Sequence, residues 1–198
     1  IKGRAASAGE VVARAVRMRP FFDHSAGGVT LTGGEVTGQV AFAEAVLAGC
    51  RNERIHTAIE TCGACDWPEL ERLAGLADLV LYDLKLMDDA EHRRRTGVSN
   101  APILANARRL AGGDAAVEFR GPLVPGITDT QDNLGGIFAF LREVDLPRVT
   151  LLPFNPSAGA KYEWLGRACE IDAEPQDEGR LAALREMAAA AGVEAAIG

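Results

Sequence analysis

The chemistry this chain can offer is concentrated in Gly33, Gly34, Glu35, Glu60, Thr61, Asp83, Lys85, Arg120 and Asn155. Each of these groups sits at the end of a short, mainly apolar run. Five consecutive runs end this way, which favours a shared polar pocket. Glu35, Glu60 and Asp83 can bind an amine, a hydroxyl pair or a cation. Lys85 and Arg120 can bind a carboxylate. The mixture suits a zwitterion, such as the amino-acid end of a ligand that also carries a ribose. Alternation in an extended segment puts Asp83 and Lys85 on one face. That pair reads equally as a structural ion pair at a barrel rim.

Gly27–Glu35 is the stretch around which the chain is organised. Val29-Thr30-Leu31-Thr32 lies between two glycine pairs and predicts a buried strand closed by a tight turn. Gly33 and Gly34 let a ligand come close to the backbone. Glu35 places a carboxylate at the exit, where it can accept hydrogen bonds from a cationic amine. By itself the motif reads just as well as an ordinary βα turn with a solvated Glu.

Composition sets the frame. The 198 residues, 47% hydrophobic and 25% charged, are ordinary globular material. A net charge of −7 argues against general affinity for nucleic acid or anionic membrane. No apolar run reaches membrane-spanning length and no signal peptide is visible, so a cytoplasmic location is the expectation. Of the four cysteines, only Cys62 and Cys65 are closely spaced. One CxxC supplies two ligands where zinc or iron–sulfur sites usually need more. A thioredoxin-like pair is one reading; two buried or half-buried thiols is another.

Strand and helix signals alternate throughout. Ser7 and Glu10 form a capping box opening a helix to about Met18, which Pro20 should end. A second helix is expected over about 39–50, with strand Ile55–Ile59 next. Asp66 should cap a helix with Pro68 in its first turn, ending near Leu76. Strand Leu79–Tyr82 precedes a short helix opened by Asp88 and Asp89, whose His92-Arg93-Arg94-Arg95 run reads as a solvated face. Helix Pro102–Leu110, strand Val117–Arg120, helix Gln131–Glu143 capped by Asp129 or Thr130, and strand Val149–Pro153 follow. An irregular stretch to about Gln176, a helix over about 179–191 and a short strand Val193–Ile197 complete the chain. Units of this kind mean parallel strands with crossover helices. No linker or composition shift marks a boundary, so one domain over 1–198 is expected. The architecture is an open doubly wound sheet or part of a (β/α) barrel. In either, ligands bind beyond the C-terminal strand ends.

Read in order, these motifs resemble the radical S-adenosylmethionine (SAM) activating enzymes of glycyl radical enzymes, the group that includes pyruvate formate-lyase activating enzyme. Gly27–Glu35, Glu60–Gly63, Asp83–Asp89, Thr96–Asn100, Arg120 with Leu123–Gly126, Leu151–Pro153 and Lys161–Gly166 carry the likeness across the whole chain. It implies an α/β fold, a partial (β/α)6 TIM-like barrel of the radical SAM type. Gly33, Gly34 and Glu35 match the segment holding the SAM amino group. Asp83 and Lys85 match a pair contacting SAM, the Lys near its carboxylate. Glu60 and Thr61, with Asp83, match the border of a cation site. Arg120 matches a strand-end Arg facing the cofactor, and Asn155 stands where members often carry His. Val36 replaces the usual Pro after Gly-Gly-Glu.

The resemblance also implies a [4Fe–4S] cluster on a Cys-x3-Cys-x2-Cys loop, which should lie before Gly27. No cysteine stands there, so the chain reads as a fragment lacking the first βα unit, with cluster ligands upstream of Ile1. Such a fragment would be inactive alone and would expose an edge at Gly28–Thr32. The implied activity is reductive cleavage of SAM to install a glycyl radical on a partner glycyl radical enzyme, with reduced flavodoxin or ferredoxin as electron donor. No acid–base residue is required, and His24, His56 and His92 receive no role. Two rivals stand beside it: a Schiff-base aldolase using Lys85, and a cluster-less module binding SAM or a partner.

Overall fold

The computed structural model describes residues 4–158, 166, 171 and 173–198. The Lys161–Leu165 part of the resemblance and Cys169 lie outside them. The fold is α/β with six strands and two compact units, Ile1–Tyr82 with Ala101–Glu118, and Asp83–Asn100 with Phe119–Gly198. No helix among the described residues is long and apolar enough to cross a membrane.

In the first unit, α1 (Ala8–Arg17) opens on the Ser7–Glu10 capping box. Pro20 does not end the helical path. It occupies the first turn of α2 (Arg19–Ser25), where a missing N–H costs nothing. Strands β1 (Val29–Leu31), β2 (Thr57–Thr61) and β3 (Leu79–Asp83, all but its last residue in this unit) pair in parallel in sequence order. A 3-10 turn, Val36–Gln39, leads into α3 (Val40–Asn52), and α4 (Trp67–Leu76) links β2 to β3. Asp66 stands at the start of α4, but its side chain makes no capping hydrogen bond. Helix α6, also in this unit, spans Ala101–Ala111. Ala15, Val46, Cys50 and Ile55 form a buried cluster against α1 and β1. Tyr82 is fully buried; burial pushes its phenol up, so it remains a donor, to the Ile103 carbonyl at 2.7 Å.

In the second unit, α5 (Asp89–Thr96) is capped by Asp88. Its arginines are solvated as expected, yet His92 is buried, with Nδ1 2.8 Å from the Val98 carbonyl. Strands β4 (Val117–Pro122, its first two residues in the other unit), β5 (Arg148–Leu152) and β6 (Glu194–Ile197) pair in parallel. Helices α7 (Gln131–Glu143) and α8 (Glu178–Ala190) are the crossovers. Thr130 caps α7, while Asp129 accepts from the Gly126 N–H at 2.7 Å. Phe119 and Phe140 pack edge to face at 6.2 Å in the core.

Two glycines predict opposite outcomes. Gly63 has φ of +69°, and a Cβ there would lie 1.7 Å from the Tyr82 hydroxyl oxygen. Gly63→Ala should therefore cost about 3 kcal/mol or more in urea unfolding. Gly34 is exposed with nothing within 4 Å, so Gly34→Ala should stay within about 0.5 kcal/mol of the parent.

Candidate functional site

Beyond β1 the chain turns through Gly33 and Gly34, both exposed, with Gly33 at φ +148°. The Glu35 carboxylate then folds back onto the end of β2. Its Oε1 accepts from Thr61 Oγ1 at 2.6 Å and the Thr37 N–H at 3.5 Å; its Oε2 accepts from the Cys62 N–H at 3.0 Å and Cys62 Sγ at 3.1 Å. Four in-chain donors occupy a group with about four lone-pair sites. Burial pushes Glu35 up, but the bonds from Thr61, Cys62 and Thr37 outweigh it, and the carboxyl titrates below its ordinary value. This carboxylate acts first as the clasp of its own turn.

Strand β2 extends two residues past the expected Ile59. Glu60 is thus a half-buried strand residue, and Thr61 a buried one whose Oγ1 also accepts from the Gly63 N–H at 2.9 Å. Cys62 and Cys65 are half-buried free thiols. Burial is the main cause that pushes the Cys65 thiol up to about 11. It is neutral at physiological pH, which removes the thiolate that redox chemistry needs.

In the second unit, Asp83 closes β3 and Arg120 sits within β4. The expected Asp83–Lys85 pair is replaced by another: Arg120 Nε and Nη2 lie 3.0 and 2.8 Å from Asp83 Oδ1. Their side chains are only 12% and 16% exposed. The guanidinium's fixed fork reaches from the neighbouring strand what a flexible Lys two residues along need not meet. Lys85 is half-buried and makes no side-chain hydrogen bond or ion pair among the described residues. Asn155 is exposed, and its Oδ1 accepts from the Ser157 N–H at 2.9 Å, closing a local turn.

Sequence reasoning passed over three buried asparagines. Asn106 Nδ2 donates to the carbonyls of Gly63 and Cys65, at 3.0 and 2.9 Å, in the first unit. In the second, Asn133 and Asn100 hold the residues just after Asp83. For Asn106 and Asn133 the signal was an amide inside an otherwise apolar helical stripe; Asn100 stood in the Thr96–Asn100 segment of the resemblance but received no role. A recess of about 330 Å³ in this unit is lined by Leu86, Met87, Gly126, Ile127 and Asn133, among others. None of the strand-exit residues expected from sequence lines it. Among the described residues no three Cys, His, Asp or Glu side chains could together hold a metal ion.

Two substitutions probe these contacts. Glu35→Gln turns one acceptor into a donor facing a donor, and should cost about 2 kcal/mol at neutral pH. Because the folded carboxyl titrates below its ordinary 4.5, that stabilisation is complete above 4.5 and fades as pH falls through the folded value. Urea unfolding of parent and variant should therefore converge in acid. Arg120→Met strips a nearly buried carboxylate of its cation and should cost about 3 kcal/mol, part of it recovered when Asp83→Asn is added.

Comparison with known proteins follows this geometry. The Radical SAM superfamily model matches residues 1–134. The chain is 37% identical over 172 residues to the isethionate sulfite-lyase activating enzyme of Oleidesulfovibrio alaskensis, covering 86% of this chain and 55% of that protein. It is 35% identical over 185 residues to the pyruvate formate-lyase-activating enzyme of Staphylococcus aureus, covering 89% of this chain and 74% of that one. A crystal structure of a domain of pyruvate-formate lyase-activating enzyme from Bacteroides vulgatus superposes with TM-score 0.72 at 26% identity, over 87% of this chain and 99% of that one. The chain spans about half the length of the first curated relatives it matches. With a family model over two thirds of its length and relatives above 30% identity, the chain belongs to the radical SAM superfamily, among the activating enzymes of glycyl radical enzymes.

Proposed function

We propose that this chain is the SAM-binding part of an enzyme that installs a glycyl radical on a partner glycyl radical enzyme. The observation that carries the reading is Lys85. A half-buried ammonium with no anionic partner among the described residues is costly unless a ligand supplies one. Asp83 and Arg120 neutralise each other beside it, so Lys85 is the cation left to meet the SAM carboxylate.

The donor set fits the cofactor in each unit separately. In the first, Gly33 and Gly34 expose backbone free of side chains, and Glu35 holds that turn in place. Glu60 and Thr61 complete this set, with Thr61 acting through Glu35. In the second, Lys85 supplies the charge and Asp83 with Arg120 a neutral, hydrogen-bonding wall. Asn155 stands at the next strand exit. The [4Fe–4S] cluster is assigned to no residue of this chain, because the described residues hold no cluster ligand set. Bound together, cluster and SAM supply one-electron chemistry; this chain's residues bind SAM, orient it and exclude water. A reduced flavodoxin or ferredoxin is the proposed electron donor. The names of the relatives support a glycyl radical enzyme as the protein substrate.

One observation favours a second reading. Asp83 is bonded to Arg120, so the Asp83–Lys85 pairing that would count against a Schiff-base nucleophile at Lys85 is not made among the described residues. Isothermal titration of the 198-residue chain with SAM decides first. Binding that weakens about tenfold in Lys85→Met, roughly 1.4 kcal/mol, supports the proposal. Unchanged binding, or none, overturns it. Borohydride trapping of a carbonyl compound on Lys85, read by mass, would put the aldolase reading in its place.

A further inference from the structure

Three residues after β3 leave the sheet while still enclosed. Leu84 is 1% exposed and Leu86 7%, so both side chains are anchored in the core. Lys85, half-buried, lies between them in sequence. The backbone of this stretch has no strand ladder beyond the Leu84 N–H, which donates to the Arg120 carbonyl at 2.8 Å.

Two side-chain amides hold four of the backbone groups that follow. Asn133 Nδ2 donates to the Lys85 carbonyl at 2.8 Å and to the Thr128 carbonyl at 2.8 Å. Its Oδ1 accepts from the Met87 N–H at 2.9 Å. Asn100 Nδ2 donates to the Leu86 and Met87 carbonyls at 3.0 and 2.8 Å. The two asparagines are 8% and 5% exposed. Asn133 is itself fixed: it lies in the first turn of α7, its N–H bonded to the capping Thr130 Oγ1 at 3.3 Å. Of the two, Asn133 alone grips the peptide carbonyl of Lys85.

We propose that Asn133 is a positioning residue for Lys85. It touches no ligand. It holds the Lys85 carbonyl, and so fixes where the Lys85 side chain departs from the backbone. The flexible four-carbon stem then starts from one defined point, and less freedom is lost when the ammonium meets a carboxylate. Asn100 secures the following two carbonyls and bears on the loop rather than on Lys85. The proposal rests on the assignment of Lys85 to the SAM carboxylate.

A double-mutant cycle separates the two ideas. SAM affinity is measured by isothermal titration for the parent chain, Lys85→Met, Asn133→Asp, the double variant and Asn100→Ser, with urea unfolding to confirm that each is folded. Asn133→Asp keeps the acceptor for Met87 and loses both donations. The expected result is about fivefold weaker binding for Asn133→Asp with Lys85 present and less than twofold with Met at that position, a coupling of the usual size for neighbours. Asn100→Ser should change affinity by less than twofold. Equal losses in both backgrounds would make Asn133 a general structural residue and overturn the inference. So would full affinity in Asn133→Asp, or a loss in Asn100→Ser matching it. If Lys85→Met itself leaves affinity unchanged, the assignment of Lys85 fails and the inference falls with it. Should Asn133→Asp not fold, Asn133→Ser replaces it in the same cycle. Amide exchange over residues 85–87 is the second readout: faster exchange in the Asn133 variant than in Asn100→Ser is expected at Met87, and equal rates count against the proposal.

Discussion

Where β2, β3 and β4 end, the backbone leaves the ladder before it leaves the interior, and the N–H and C=O groups there must find partners. Short polar side chains supply them. Thr61 Oγ1 takes the Gly63 N–H, and Asn106 reaches the carbonyls of Gly63 and Cys65. Thr128 Oγ1 accepts from the Val124 N–H and donates to the Pro122 carbonyl. Asn133 and Asn100 do the same for residues 85–87. Threonine and asparagine carry few rotatable bonds, so ordering them costs little entropy for each backbone group satisfied. The strand exits are consequently rigid without being helical or extended, which is what a ligand-facing rim requires.

Charge is distributed by the same logic. Arg120 reaches Asp83 across neighbouring strands, with both side chains mostly enclosed. In a poorly solvated setting an ion pair of this kind fixes geometry more than it stabilises. Its effect on function is indirect. By satisfying Asp83, it leaves the neighbouring Lys85 without the acidic partner that sequence alignment on one face would have given it.

Much of the fold was legible because it rests on local rules. Alternating apolar runs, the Ser7–Glu10 box and the capping residue Thr130 act within four positions of one another. Helix α7 was expected over the very residues it occupies. What escaped depends on contacts between distant positions. Pro20 was read only as a stop; α1 does end before it, but Pro20 also sits in the first turn of α2. His92 sits inside an arginine run, and only the fold reveals that it faces inward to Val98. The glycines, carboxylates and Lys85 stood out by type and spacing. Asn106, Asn133 and Asn100 did not, because a buried amide and a surface amide look alike until their partners, 43, 48 and 14 residues away, are placed.

Glu35 shows why a residue can be picked correctly and its action misjudged. From spacing, its carboxylate was free to receive an amine. In the fold it is turned away from the glycines and spent on Thr61, Cys62 and Thr37. Its negative charge also pushes the Cys65 thiol up, behind the larger effect of burial, while Cys62 donates to it from both backbone and thiol. With Glu35 folded back, Gly33 and Gly34 remain exposed, and a Cβ at either would meet nothing within 4 Å. The open backbone that a ligand can approach is thus produced by the carboxylate's withdrawal. A glycine pair followed by a freely solvated Glu would leave the same peptide groups mobile and partly shielded by the side chain. Ionised Glu35 is therefore part of the turn's shape, held by its bonds to Thr61, Cys62 and Thr37.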